Sequence, residues 1–199
     1  MLAAGKVFAA KGYEAATIRD VAAEAKTQVG GIMHHFVTKD DLYLAVIKTF
    51  ILDSGRWDYI FEPLSHKKKV TPQLLEELIG ECVKRYMYQN RPGQQPFENL
   101  LGLRLAVDEV PTIEEIRFKV AGIACDQINA VLKQAYPQLT EKQMLDWRTS
   151  FYALLLFPET TQRSIHGREL PPGYHRESAK RVTADACALL RAKASSRRS

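Results

Sequence analysis

An all-α chain is what the sequence predicts, with a three-helix helix-turn-helix domain at the N-terminus and a larger helical domain behind it. Three observations carry this. Apolar residues recur at helical spacing along most of the 199 residues. Capping signals, a Thr followed three residues later by Asp, Glu or Gln, stand at Thr17, Thr38, Thr112 and Thr140 ahead of such stretches. No stretch alternates apolar and polar residues for the length of a strand. About nine helices result.

Taken in order, Leu2 to Lys11 fits a first helix with Val7 and Phe8 inward and Gly12 as its stop. Thr17 caps a second helix, in which Ile18, Val21, Ala22 and Ala25 recur at i, i+3, i+4 and i+7. Lys26 and Thr27 interrupt that stripe, and a third helix runs from Gln28 with Ile32 and Phe36 on one face. Two short helices joined by a tight turn make a helix-turn-helix. Thr38 starts a fourth helix, through Leu42, Val46, Ile47, Phe50 and Ile51, expected to reach Ile60 or Phe61 and to link the two domains mechanically.

Pro72 opens the fifth helix, whose apolar face runs from Leu74 to Met87. After the break at Arg91-Pro92-Gly93, a sixth spans about Phe97 to Asp108 and is apolar almost all round, as in a buried helix. Pro111 ends it, and Thr112 with Glu115 reads as the capping box of a seventh, to about Ala135. Thr140 with Gln143 caps the eighth, which Pro158 kinks or ends. Ser164 to Tyr174 reads as a Pro/Gly-rich loop before a last helix from about Arg176 to Lys193.

The stretch Thr17 to Phe36 and its flanks resemble the TetR-type transcriptional regulators. Lys11-Gly12-Tyr13, then Thr17 to Ala25, then Met33-His34-His35-Phe36, then Lys39-Asp40-Asp41-Leu42-Tyr43 keep that family's order and spacing over about the first 45 residues. There are departures. Lys26 stands where the turn usually has Gly, so the turn is differently shaped or mildly strained. Met33 replaces a Tyr, and the chain opens inside helix one, where the family often has a basic lead-in.

The resemblance implies a DNA-binding domain over 1–46 and an effector-binding and dimerisation domain over 47–199. It puts Thr17 on a phosphate and Arg19 on a base edge such as guanine. It assigns Gln28, Val29, Gly31, Met33, His34, His35 and Lys39 to the DNA-facing side. Periodicity alone would instead place Val29 and Met33 with Ile32 and Phe36 in the core. The resemblance further implies a repressor released from a palindromic operator by a small molecule, working as a homodimer through its last two helices. Trp147, Phe151, Leu154 and Leu155, with Ala179, Val182, Ala186 and Leu190, suit that pairing, and an ordinary intramolecular core would give the same pattern.

Net charge is +5, which suits a nucleic-acid partner. Much of the excess lies at Lys67-Lys68-Lys69 and in the Arg/Ser tail, both reading as solvated chain. Cys82, Cys125 and Cys187 are far apart and read as core residues of a reduced, cytoplasmic protein. No apolar run is long enough to span a bilayer. No catalytic constellation, cofactor fingerprint or metal-ligand spacing occurs, and adjacent His34 and His35 diverge by about 100° on a helix. A helix-turn-helix protein without small-molecule control remains the alternative. For an effector, the candidates are Trp57, Tyr86, Arg104, Trp147 and Phe151, although most aromatic stripes are simply core. Arg104 is singled out because a cation in an apolar helix needs a partner, either an anionic effector or a carboxylate such as Glu81.

Overall fold

The computed structural model describes residues 1–65, 69–88, 93–166 and 174–195. His66-Lys67-Lys68, the Arg91-Pro92 break, most of the Pro/Gly-rich loop and the terminal Arg197 and Arg198 lie outside the described residues. Ten α-helices and no strand occur among the described residues: α1 (Leu2–Ala15), α2 (Ile18–Glu24), α3 (Val29–Met33), α4 (Lys39–Ile47), α5 (Arg56–Phe61), α6 (Pro72–Met87), α7 (Glu98–Val107), α8 (Glu114–Ala135), α9 (Glu141–His166) and α10 (Tyr174–Ser195).

Two compact units form, one from Met1–Trp57 with Arg91–Gly122, the other from Asp58–Asn90 with Ile123–Ser199. In the first, α1 to α4 and α7 close over Phe8, Val21, Leu42, Tyr43, Ile47 and Leu101. In the second, α6 lies against α10 where Gly80 allows it: a Cβ there would come within 3.3 Å of Thr183 Cγ2. Trp147 stacks on Phe151 at 5.1 Å and donates from Nε1 to the Ala186 carbonyl at 2.8 Å.

Several helix limits differ from expectation, each for a local reason. α1 does not stop at Gly12; it kinks there (φ 76, ψ 172) and continues to Ala15. The fourth helix does not run on to Phe61. A π-helical turn over Lys48–Leu52 ends it, and Gly55 takes a left-handed φ of 66°. Ser54 Oγ then accepts the Arg56 N–H at 3.2 Å, starting α5 as a separate helix. Asp53-Ser54-Gly55 is a turn signal outweighed in the sequence by the apolar periodicity around it. Thr112 caps nothing, because Pro111 opens a 3-10 turn (Pro111–Ile113) that carries it, and α8 begins at Glu114. α9 passes through Pro158 and includes Ser164 to His166. The Thr140–Gln143 box forms as expected: Gln143 Oε1 accepts the Thr140 N–H at 2.9 Å, and Thr140 Oγ1 accepts the Gln143 N–H at 3.2 Å.

Candidate nucleic-acid interface

The second helix owes its setting to a reciprocal cap at its start and a backbone closure at its end. At the start of α2, Thr17 Oγ1 accepts the Asp20 N–H at 3.1 Å, and the Asp20 carboxylate accepts the Thr17 N–H at 3.0 Å and its hydroxyl at 2.8 Å. Lys11 Nζ, 2.7 Å from Asp20, joins with Thr17 in holding that carboxyl down at about 2. A depressed carboxylate contributes stability above its unfolded value, and that contribution is lost as pH falls through about 2, so the cap is intact at any pH where DNA binding is measured.

At the end of α2 the Thr27 N–H reaches the Ala22 carbonyl at 3.0 Å and the Lys26 N–H the Ala23 carbonyl at 3.1 Å. That is a Schellman closure, and it requires a left-handed residue in the place Lys26 holds. Lys26 takes it, with φ 51°. The turn therefore has its ordinary shape and carries a strain of about 1–2 kcal/mol that Gly would avoid.

α3 has no buried residue. Ile32 and Phe36 are half-buried against the core, while Val29 and Met33 are 38% and 39% exposed. The two are thus outside the core to which periodicity alone would assign them. Gln28 stands at the N-cap of α3 without a side-chain capping bond, which leaves its amide available. His34 and His35 are exposed and meet edge to face at 5.3 Å. A Cβ on Gly30 would meet nothing within 4 Å, and one on Gly31 only Thr27 Oγ1 at 3.5 Å, so internal packing requires neither glycine.

The cations divide into two groups. Lys6 pairs with Glu24 at 3.2 Å and Lys11 with Asp20. Arg19 and Lys26 are exposed and have no ion-pair partner among the described residues. Lys39 is half-buried: its ammonium donates to the Tyr13 carbonyl at 3.0 Å and lies 4.1 Å from the centre of the Tyr13 ring. Tyr13 in turn donates its hydroxyl to Asp40, and burial together with that carboxylate raises its pKa to about 12. Lys39 therefore helps lock the end of α1 to the start of α4, a role its sequence context did not suggest. Thr17, Arg19, Gln28, Val29, Gly31, Met33, His34 and His35 are all exposed or partly so on the α2–α3 element and the chain leaving it.

The proposed effector residues are not gathered in one place within a unit. Trp57 and Arg104 belong to the first unit, and Tyr86, Trp147 and Phe151 to the second. Arg104 has partners within its own unit. Its side chain is 28% exposed, and Nε and Nη2 donate to the Ala9 and Ala10 carbonyls, each at 3.3 Å, with Asp108 at 3.9 Å. It satisfies the end of α1 before the Gly12 kink; neither Glu81 nor an effector is needed to neutralise it. Trp147 and Phe151, with Leu75, Ile79 and Cys82, line a void of about 10 Å³, barely the room for one water. A wider open groove of about 1200 Å³ runs between α6 and α10, with Leu78, Lys84, Tyr88 and Lys180 among its walls. No helix among the described residues is long and apolar enough to cross a membrane.

This geometry defines a helix-turn-helix nucleic-acid-binding domain, and the comparisons agree. Residues 1–46 match the family model of bacterial regulatory proteins of the tetR family. Residues 1–46 of this chain thus carry the N-terminal, DNA-binding domain that this family of regulators shares. No curated protein sequence matches it. Among solved structures, a transcriptional regulator from Rhodococcus sp. Rha1 aligns at 19% identity and TM-score 0.61, covering 94% of this chain and 93% of that one. The TetR family regulator PfmR of Thermus thermophilus aligns at 16% and 0.62, covering 94% of each. AibR, solved with isovaleryl coenzyme A and operator DNA, aligns at 16% and 0.67, covering 92% of this chain and 93% of its own. At these identities the likeness establishes the fold along the whole chain.

Proposed function

We propose that this regulator is a dimeric repressor that binds a palindromic operator through residues 1–46 and is released by a small molecule held within residues 47–199. The observation that carries the DNA half is the exposed α2–α3 element, with Arg19 and Lys26 uncompensated and no carboxylate between Ala25 and Lys39. Arg19, on the first turn of α2, reads a base edge; Gln28, His34 and His35 flank it with neutral or weakly basic donors. Thr17 gives both its N–H and its hydroxyl hydrogen to Asp20, so a phosphate contact there requires the hydroxyl to turn from the cap.

Selection from a random duplex pool should return a palindrome. On it, Arg19→Ala is expected to lose about 1–3 kcal/mol at the preferred site, whereas Lys39→Met should weaken all duplexes alike and flatten the salt dependence. Binding without any sequence preference at moderate salt would refute the reading.

The dimer half is supported by what α9 and α10 leave outside. The residues offered by the sequence for pairing are core: Trp147, Phe151 and Leu155 on α9, and Ala179, Val182, Ala186 and Leu190 on α10, are buried within the subunit. Leu145 and Leu189, 53% and 39% exposed, remain outward with the exposed Ala153, Ala188 and Ala192, and small side chains let two helices approach closely. Two reading heads on one face of B-DNA need half-sites about 34–36 Å apart. Sedimentation at micromolar concentration should give twice the chain mass, and Leu189→Arg should halve it and weaken the palindrome. A wild-type monomer both free and on DNA would contradict this. The effector half is supported by AibR, which was solved with isovaleryl coenzyme A, and by the groove between α6 and α10, whose mostly charged and polar walls include Leu78 and Tyr88.

A further inference from the structure

We infer that α3 reads thymine: Val29 and Met33 contact the 5-methyl groups of thymines in the major groove of each half-site. This rests on the DNA-binding reading above and specifies what that element recognises. The two side chains lie four residues apart, on one face of α3, and both are exposed in a helix that buries nothing. Neither can donate or accept a hydrogen bond. In the major groove guanine, cytosine and adenine present hydrogen-bonding groups and flat C–H edges, and the thymine methyl is the one apolar group that projects from a base edge. An apolar reading face therefore discriminates by that methyl alone.

The surroundings are fitted to a duplex and to little else. From Ala25 to Lys39 the chain has no carboxylate to repel phosphates, and the exposed cations Arg19 and Lys26 precede α3 in the chain, on α2 and in the turn. Gly30, between the two apolar residues, has no neighbour within 4 Å of a would-be Cβ, so nothing inside the protein prevents a larger residue there. Its bareness lets the α3 backbone come close to the base edges, where Val and Met side chains are long enough to reach a methyl. A protein partner for the same face would be expected to meet a larger apolar patch than two side chains.

The test replaces thymine by uracil, which removes the methyl and leaves every hydrogen-bonding atom in place. The full-length protein is first used to select its preferred duplex, and that duplex is then remade with uracil at one thymine position at a time. One or two positions per half-site should lose about fourfold in affinity each, the worth of one methyl taken out of water. In Met33→Ala or Val29→Ala the loss at the matching position should disappear, because the methyl then has no apolar partner. Both residues are exposed, so these variants fold.

If uracil at every thymine leaves affinity unchanged, thymine reading is wrong while operator binding stands. If the uracil losses persist in both variants, other residues read the methyls and the inference fails. If no duplex is preferred at all, the DNA-binding reading itself fails, and this inference with it.

Discussion

Glu98→Ala is expected to destabilise the first unit by about 3–5 kcal/mol, the penalty for removing one partner of a buried ion pair. Arg56 and Glu98 have side chains only 2% exposed, with Nη1 and Oε2 3.7 Å apart. Arg56 Nη2 also donates to Asn99, and Glu98 Oε1 accepts the Gln95 N–H at 2.9 Å, so the pair ties the start of α5 to the start of α7. Taking away this carboxylate removes a counter-charge from a guanidinium that is already out of water.

Urea unfolding followed by Trp57 fluorescence, in a Trp147→Phe background, reports this unit alone. The double variant Arg56→Met, Glu98→Leu should recover most of the loss, since two apolar side chains need no charge compensation. A single-variant loss below about 1 kcal/mol would mean that water reaches the pair and that α5 is held by other contacts.

Gly12→Ala should be nearly as damaging, at about 3 kcal/mol. The backbone there (φ 76, ψ 172) lies in a region that only glycine enters freely, worth about 1–3 kcal/mol of strain for any other residue. A Cβ would also sit 3.1 Å from Arg104 Nη1 and 3.2 Å from Cζ, displacing the guanidinium from the Ala9 and Ala10 carbonyls. For a chain of this size the midpoint should fall by about 6–12 °C.

Adding Arg104→Ala would open the space but leave the strain, so the double variant should be no more stable than Gly12→Ala by more than about 1 kcal/mol. Operator affinity should fall as well, because the kink sets how the last turn of α1 meets Lys39 and α4. Stabilisation by Gly12→Ala, the usual result inside a regular helix, would show that α1 can straighten there.

Much of the reading head was legible beforehand because its signals are local. Thr17 with Asp20 and Thr38 with Asp41 both form the reciprocal bonds their spacing promised. Lys26 was recognisable as an oddity, and the structure shows which of two outcomes holds: the Schellman bonds dictate the left-handed φ, and lysine accepts it. Lys39 was legible as a cation at the right spacing but not as the lock between α1 and α4, since Tyr13 lies 26 residues away.

The break at Ser54-Gly55 was missed because a run of apolar residues on both sides imitates one helix. The main partners of Arg104 were hidden for a different reason. Its own helix is apolar, and nothing in that stretch announces that carbonyl acceptors arrive from α1, whereas Asp108, four residues on, was in view as a helical neighbour.

What the sequence by itself determined, then, is that the chain is helical, where the capped helices α2, α4, α6 and α9 begin, and that the first 46 residues carry a helix-turn-helix domain. Caps, turn glycines and apolar periodicity are properties of adjacent residues, and a few hydrogen bonds suffice to enforce them. Only the tertiary structure decided which face each helix turns inward. The same stripe on α9 and α10 serves a core or an interface equally well, and Trp147 bonding to the Ala186 carbonyl places it inside. Val29 and Met33 share a helical stripe with Ile32 and Phe36, yet the core stops short of them. Burial is a property of what arrives from elsewhere in the chain, and a one-dimensional pattern does not contain it.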